Sequence, residues 1–107
     1  MLLKYFGYND IKGEAHMNII KEPNRVLIKN DEGKEVGHVL FPTIKDGVVE
    51  ITMTFVDDSL RGQGAAGRMM QAAYEVIKSQ NLKAKLNCSY AVSWFNKNPI
   101  CNDIIVD

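Results

Sequence analysis

The chain carries no excess charge of either sign: 13 basic and 13 acidic residues cancel across 107 positions. That removes electrostatic capture of nucleic acid, or of an acidic membrane surface, as a basis for function. No apolar run approaches the ~18–20 residues needed to cross a bilayer. The N-terminus shows no basic region followed by an apolar block and a small-residue cleavage site, which argues against export. Cysteine is scarce. Cys88 and Cys101 form neither a metal-binding spacing nor a disulfide framework. The expectation is therefore a reduced, cytoplasmic setting and no metal. Repeats, low-complexity tracts and linkers are all missing. What remains, 46% apolar and 24% charged residues, is ordinary for one globular domain and hardly enough for two.

Residues 1–16 are the least readable. Leu2 to Tyr8 is apolar and aromatic enough for a short strand, and Asn9 to His16 turns polar. A cleaner pattern restarts at Met17, so residues 1–16 read as a leader or arm and 17–107 as the domain. A meander follows. Ile19 to Lys21 is a first strand, stopped by Glu22-Pro23-Asn24. Arg25–Lys29 is a second, and Asn30 to Gly33 a turn. Glu35–Phe41 is a third strand, and Asp46-Gly47 is the pair expected of a tight hairpin. Val48–Val56 is a fourth. Its alternation puts Val49, Ile51, Met53 and Phe55 on a covered face, with Glu50, Thr52 and Thr54 on a wetter one.

Ala66, Met69, Met70, Ala73, Val76 and Ile77 recur at helical spacing, predicting a helix from Gly64 or Ala65 to Ser79. Asn81 is placed to cap it in the left-handed conformation. Lys83–Asn87 is a fifth strand, parallel to the fourth because a helix connects them. Ala91–Lys97 reads as a short helix burying Val92, Trp94 and Phe95, and ends before Pro99. Ile104–Val106 is a last strand or a packed tail. The fold class is α/β (α+β): an antiparallel N-terminal meander, a strand–helix–strand parallel crossover, and a short C-terminal helix.

The stretch that organises the chain is Leu60-Arg61-Gly62-Gln63-Gly64-Ala65-Ala66-Gly67. Strand, glycine-rich turn and helix present bare backbone N–H groups and the positive end of a helix dipole to an anion. Gly62 to Gly67 fits the dinucleotide pattern G-x-G-x-x-G, but the context fails. Asp57 to Arg61 separates the strand from the first glycine, and no carboxylate stands in Lys83 to Cys88, about 20 positions on. The Gly-Lys-Ser/Thr of the ATPase phosphate loop is missing too.

Arg61, Gly64 and Ala66 also satisfy R-x-x-G-x-G/A. With Val56 to Gly64, the Val36-Gly37 pair, Cys88-Ser89-Tyr90 and Asn98-Pro99, the chain resembles the GNAT superfamily of N-acetyltransferases. Within it, the resemblance is to the short single-domain group, over about residues 18–100. It implies that acetyl-CoA is the cosubstrate, with its pyrophosphate on the backbone of Gly62, Gln63, Gly64, Ala65 and Ala66 and with Arg61 beside it. It implies a pantetheine arm along Met53, Thr54, Phe55 and Val56, and a thioester where the fourth and fifth strands splay apart. Acetyl would pass to an amine on a small molecule or a protein. No nucleic acid or membrane partner is implied, and a monomer or weak homodimer is expected.

Three side chains are candidates for the chemistry. Cys88, at the mouth of the fifth strand, is a nucleophile or a small packed thiol. Tyr90 is a proton donor or packing, and Glu50 a general base or a solvated strand carboxylate. His38 has a suitable unperturbed pKa but reads more simply as a surface or packed histidine. The short group commonly has a histidine where Met53 stands and a polar residue where Phe55 stands. A non-catalytic acetyl-CoA or CoA-binding module is therefore the alternative reading.

Overall fold

In the computed structural model, residues 17–106 are described; the strand and arm expected within residues 1–16 lie outside them. Four strands form an antiparallel sheet in the order β1-β2-β3-β6: β1 (Asn18–Glu22), β2 (Arg25–Lys29), β3 (Glu35–Leu40) and β6 (Met53–Val56). A second sheet, β4-β5-β7, comprises β4 (Thr43–Lys45), β5 (Val48–Ile51) and β7 (Lys83–Leu86). Within it β5 and β7 run parallel, as the crossover requires.

Helix α1 (Ala65–Ser79) makes that crossover and seals the core. Met69, Met70, Ala73 and Ile77 are fully buried against Val26, Ile28, Val39, Val49 and Ile51 from both sheets. Asn81 ends the helix at φ 60°, the left-handed cap expected from the sequence. Helix α2 (Ser89–Lys97) follows β7, and a 3₁₀ helix (Pro99–Ile104) turns the chain back. There Ile105 bridges Ala84 in parallel, so the last segment is a packed tail with one bridge. Among the described residues no helix is long and apolar enough to cross a membrane.

Three expectations need correction. The fourth strand is not continuous. At Thr52 it breaks into β5 and β6, which belong to different sheets. Thr52 N–H donates to Leu40 O (3.0 Å), while Met53 is Leu40's register partner. Two residues thus oppose one, which is a β-bulge, and a bulge reverses the facing of everything after it. Val49 and Ile51 stay in the core, but Met53 and Phe55 turn out to the other face, 49% and 42% exposed. Second, Thr43–Lys45 forms a strand that the sequence did not suggest, because all three residues are exposed and leave no apolar period. Third, α2 starts at Ser89, two residues earlier than expected, and Val92 is 43% exposed instead of buried.

Gly37 shows how closely α1 approaches the sheet. A Cβ there would lie 3.2 Å from both the Met69 methyl and the Phe55 carbonyl oxygen. Methionine can move, but the backbone of β6 cannot move without disturbing the ladder. Gly37→Val should therefore destabilise the fold by about 1–3 kcal/mol, read as a lower urea midpoint with unchanged slope.

Candidate functional site

The site is built where the two sheets part. Asn87 N–H still reaches Ile51 O (2.9 Å), so β5 and β7 pair up to that point. Beyond it, β6 pairs only with β3, and the gap between β6 and the end of β7 opens. Asp57 N–H donates to Val36 O (2.8 Å), which fixes the phase of the β3–β6 ladder. Antiparallel pairs alternate, so the N–H groups of Met53 and Phe55 are spent on β3, and those of Thr54 and Val56 point into the gap. Of the backbone expected to run beside the cosubstrate, Met53, Thr54, Phe55 and Val56, the N–H groups of Thr54 and Val56 face the gap and those of Met53 and Phe55 do not.

Thr54 and Cys88 face each other across the gap, Oγ1 to Sγ 3.5 Å. Cys88 is the N-cap residue of α2, in extended conformation. Burial alone would push its thiol up. Hydrogen bonds from the Thr54 side chain and from the backbones of Ala91, Tyr90 and Thr54 outweigh that, and the thiol lies below its ordinary range. Cys101 behaves oppositely: burial, then the nearby Asp103 carboxylate, pushes its thiol up. Since the thiolate is the reactive form, iodoacetamide should modify Cys88 faster than Cys101. The apparent pKa of the rate should also be lower at Cys88, as followed by mass mapping across pH 6–10.

The glycine-rich turn lies at the other end of the gap. Asp57 caps a 3₁₀ turn (Asp58–Leu60), accepting from Ser59 N–H at 2.9 Å. Gly62 and Gly64 then take φ of 81° and 73°, the left-handed region that glycine tolerates best. The first bond of α1 is Arg68 N–H to Gly64 O. The N–H groups of Gly62, Gly64, Ala65, Ala66 and Gly67 thus have no acceptor among the described residues. Nothing lies within 4 Å of where a Cβ of Gly62 or Gly64 would stand, so both glycines border open space.

Other expected site residues are placed less directly. Arg61 is 79% exposed, and its guanidinium pairs with Asp58 at 2.5 Å. The Gln63 side chain donates to Ser59 O (3.3 Å), and its buried oxygen has no partner. The Tyr90 hydroxyl stands 3.7 Å from the position a Gly67 Cβ would take, at the start of α1, and burial raises its pKa. Glu50 is half-buried on the outer face of β5; its backbone N–H donates to Pro42 O, and its carboxylate has no hydrogen bond or ion pair among the described residues. Phe95 is buried in the core and carries no proton to give.

Sequence reasoning passed over a groove of about 600 Å³ beside the cradle, floored by α1 at Gly64, Arg68 and Gln71 and walled by Lys21, Trp94 and Asn98. Its wall comes from β1 and α2, which are distant in sequence, so no local pattern marks it.

A family profile described as GCN5-related N-acetyl-transferase matches residues 25–104. The chain belongs to the GCN5-related N-acetyltransferase family. Its fold agrees: a GCN5-like protein of Staphylococcus aureus, solved by NMR, superposes with a TM-score of 0.67 at 26% identity. That match covers 83% of this chain and 87% of the other. GCN5 of Tetrahymena shares the fold at a TM-score of 0.54 and 19% identity, over 68% and 48% of the two chains. In sequence, Protein NATD1 of Homo sapiens is 31% identical over 62 residues, 58% of this chain. The match spans just over half, 55%, of that relative's length. The family match begins at Arg25 and ends at Ile104, so it contains the bulge, the gap and the cradle together.

Proposed function

We propose that this protein transfers an acetyl group from acetyl-CoA to an amine, in a reducing, cytoplasmic setting. The observation that carries the reading is the Thr54–Cys88 contact across the gap, one helix start away from a row of uncommitted N–H groups. The residues present fit the cosubstrate. The open space before Gly62 and Gly64 admits a pyrophosphate, and the N–H groups of Gly62 and Gly64 to Ala66 are free to bind it. The unpaired edge of β6, at Thr54 and Val56, suits a thin chain with amide groups of its own, bound as an added strand. The neighbouring groove, with the Arg68 cation and the Trp94 ring, has room for the nucleotide end, its Lys21 being ion-paired with Glu75 at 2.8 Å.

When bound, acetyl-CoA supplies an acetyl group activated as a thioester. The chain supplies the rest. The N–H groups of Thr54 and Val56 are donors aimed at a carbonyl in the gap. Cys88 holds its proton loosely and is the group able to take up an acetyl itself. Glu50, uncommitted on the outer face, can take the proton that an ammonium must lose. Tyr90 stands at the cradle, so we assign its hydroxyl to the cosubstrate side and not to Cys88.

A thermal shift tests binding. At about 100 times Kd, acetyl-CoA adds about 2.7 kcal/mol, which for a domain of this size is about 10 °C or more. No shift at millimolar acetyl-CoA would sink the reading. Release of free CoA with and without a panel of amines then tests transfer. Cys88→Ala should abolish amine-dependent release while keeping the thermal shift. Retained turnover would mean direct transfer without Cys88.

A further inference from the structure

The reversal at Thr52 leaves one feature that cosubstrate binding does not use. Met53 and Phe55 project from the outer face of β6, opposite to α1, as two large apolar side chains nearly half exposed and two residues apart. Beside them the surface continues as a packed platform. The His38 ring meets Phe55 at 5.3 Å between centroids, and Leu40 is the register partner of Met53. His38 is held from its far side by Glu35, Nδ1 to Oε2 2.6 Å, so the platform is braced. On the same face, just before the bulge, stands Glu50, a half-buried carboxylate with no partner among the described residues. Lys85, its register partner on β7, makes no ion pair with it. At ~3.3 Å per residue, Glu50 and Phe55 are within about 17 Å, and Glu50 and Met53 within about 10 Å.

We propose that the acceptor is a primary amine on an apolar, aromatic-sized body, held on this face. Met53 and Phe55 take the apolar body and Glu50 takes the ammonium. This rests on the acetyltransferase reading, and it commits to one occupant because the surface is complementary in two ways. An apolar platform alone would suit a second copy of the chain or residues 1–16 equally well. An uncommitted, half-buried carboxylate at its edge needs a cation, and desolvating it without one is costly. The platform also borders the gap, since Met53 and Phe55 lie on β6, the strand that forms one side of it; the Thr54 side chain between them projects to the opposite face, where it meets Cys88. An arylalkylamine carries both an apolar ring for the platform and an ammonium for the carboxylate; a short polar amine cannot use the platform.

The test uses the full chain with methyl-labelled methionine and follows the Met53 methyl signal by NMR, with acetyl-CoA turnover measured separately. Phenethylamine should move that signal at a concentration about tenfold or more below ethanolamine, the lower end of what an apolar contact discriminates. Phe55→Thr, which keeps strand propensity, should erase the preference, and Glu50→Gln should weaken both amines. Equal concentrations for the two amines, or a Met53 signal unmoved by either, would overturn the proposal. So would a signal that instead moves on dilution, marking a second copy as occupant, or with Phe6→Ser, marking residues 1–16. Phenethylamine binding without CoA release would overturn transfer and leave this surface assigned. Turnover that prefers ethanolamine or spermidine would do the reverse.

Discussion

Gly64→Asp should cost the protein its acetyl-CoA affinity by about 100-fold or more while leaving it folded. The two halves of that expectation have different causes. Gly64 is the N-cap of α1 at φ 73°, and aspartate tolerates both the left-handed region and the N-cap position better than most residues. Nothing lies within 4 Å of the new Cβ. The left-handed φ should therefore cost about 1–2 kcal/mol of stability, which leaves the protein folded. The carboxylate, however, would occupy the space in front of the free N–H groups of Ala65 and Ala66. A like charge placed against a pyrophosphate costs several kcal/mol. Gly64→Asn separates charge from bulk: it should fold equally well and lose much less affinity. Calorimetric titration of all three proteins with CoA checks this, and equal loss in both variants would mean that bulk, not charge, closes the cradle.

Phe95→Ala should be the most damaging single truncation near the site, at about 3–5 kcal/mol. The ring is 2% exposed, sits in the main core cluster and packs edge-on against Trp94 at 4.9 Å. Against a total stability of ~5–15 kcal/mol that is a large share, and Tm should fall by more than about 12 °C. The loss should not be uniform. Phe95 and Ala91 are the buried anchors of α2, and Cys88 is that helix's N-cap. Loosening the helix loosens the backbone donors of Tyr90 and Ala91 that hold the Cys88 thiol down. Iodoacetamide reactivity at Cys88 should then shift to higher pH at temperatures where Phe95→Ala is still folded, as judged by circular dichroism. An unshifted profile would show that α2 stays seated without its ring.

Much of the fold was legible because its signals are local. The period of Ala66 to Ile77 marks α1, Asp46-Gly47 marks the β4–β5 turn, and Asn81 marks the helix end. The cradle was legible for the same reason: its glycines, their spacing and the helix behind them are contiguous. The bulge was not. Apolar residues occupy every odd position from Val49 to Phe55, so the sequence shows one unbroken alternation, and the inserted residue, Thr52, is neither glycine nor proline. A bulge is a property of the pairing with Leu40, and pairing is a contact between segments twelve residues apart. Burial at Val49 and Ile51 cannot be carried past it to Met53 and Phe55. The same holds for the site. Cys88 could be named as reactive from its position after a strand, and the backbones of Tyr90 and Ala91 that help lower its pKa are local, but the largest lowering contribution is the Thr54 side chain, 34 residues earlier and brought round by the crossover. Trp94 and Lys21 were illegible for a like reason, since they border the cradle only after α2 and β1 have been packed on either side of α1.

The divided strand has a consequence for how this chain coexists with its own copies. An unpaired strand edge is ordinarily a hazard, because it offers the same hydrogen-bonding row to any extended chain it meets. The proposed binding of acetyl-CoA requires such an edge to stay open. The bulge at Thr52 sets the phase of this edge, and the Thr54 side chain on it meets Cys88 across the gap. The break thus keeps an unfilled position in the ladder.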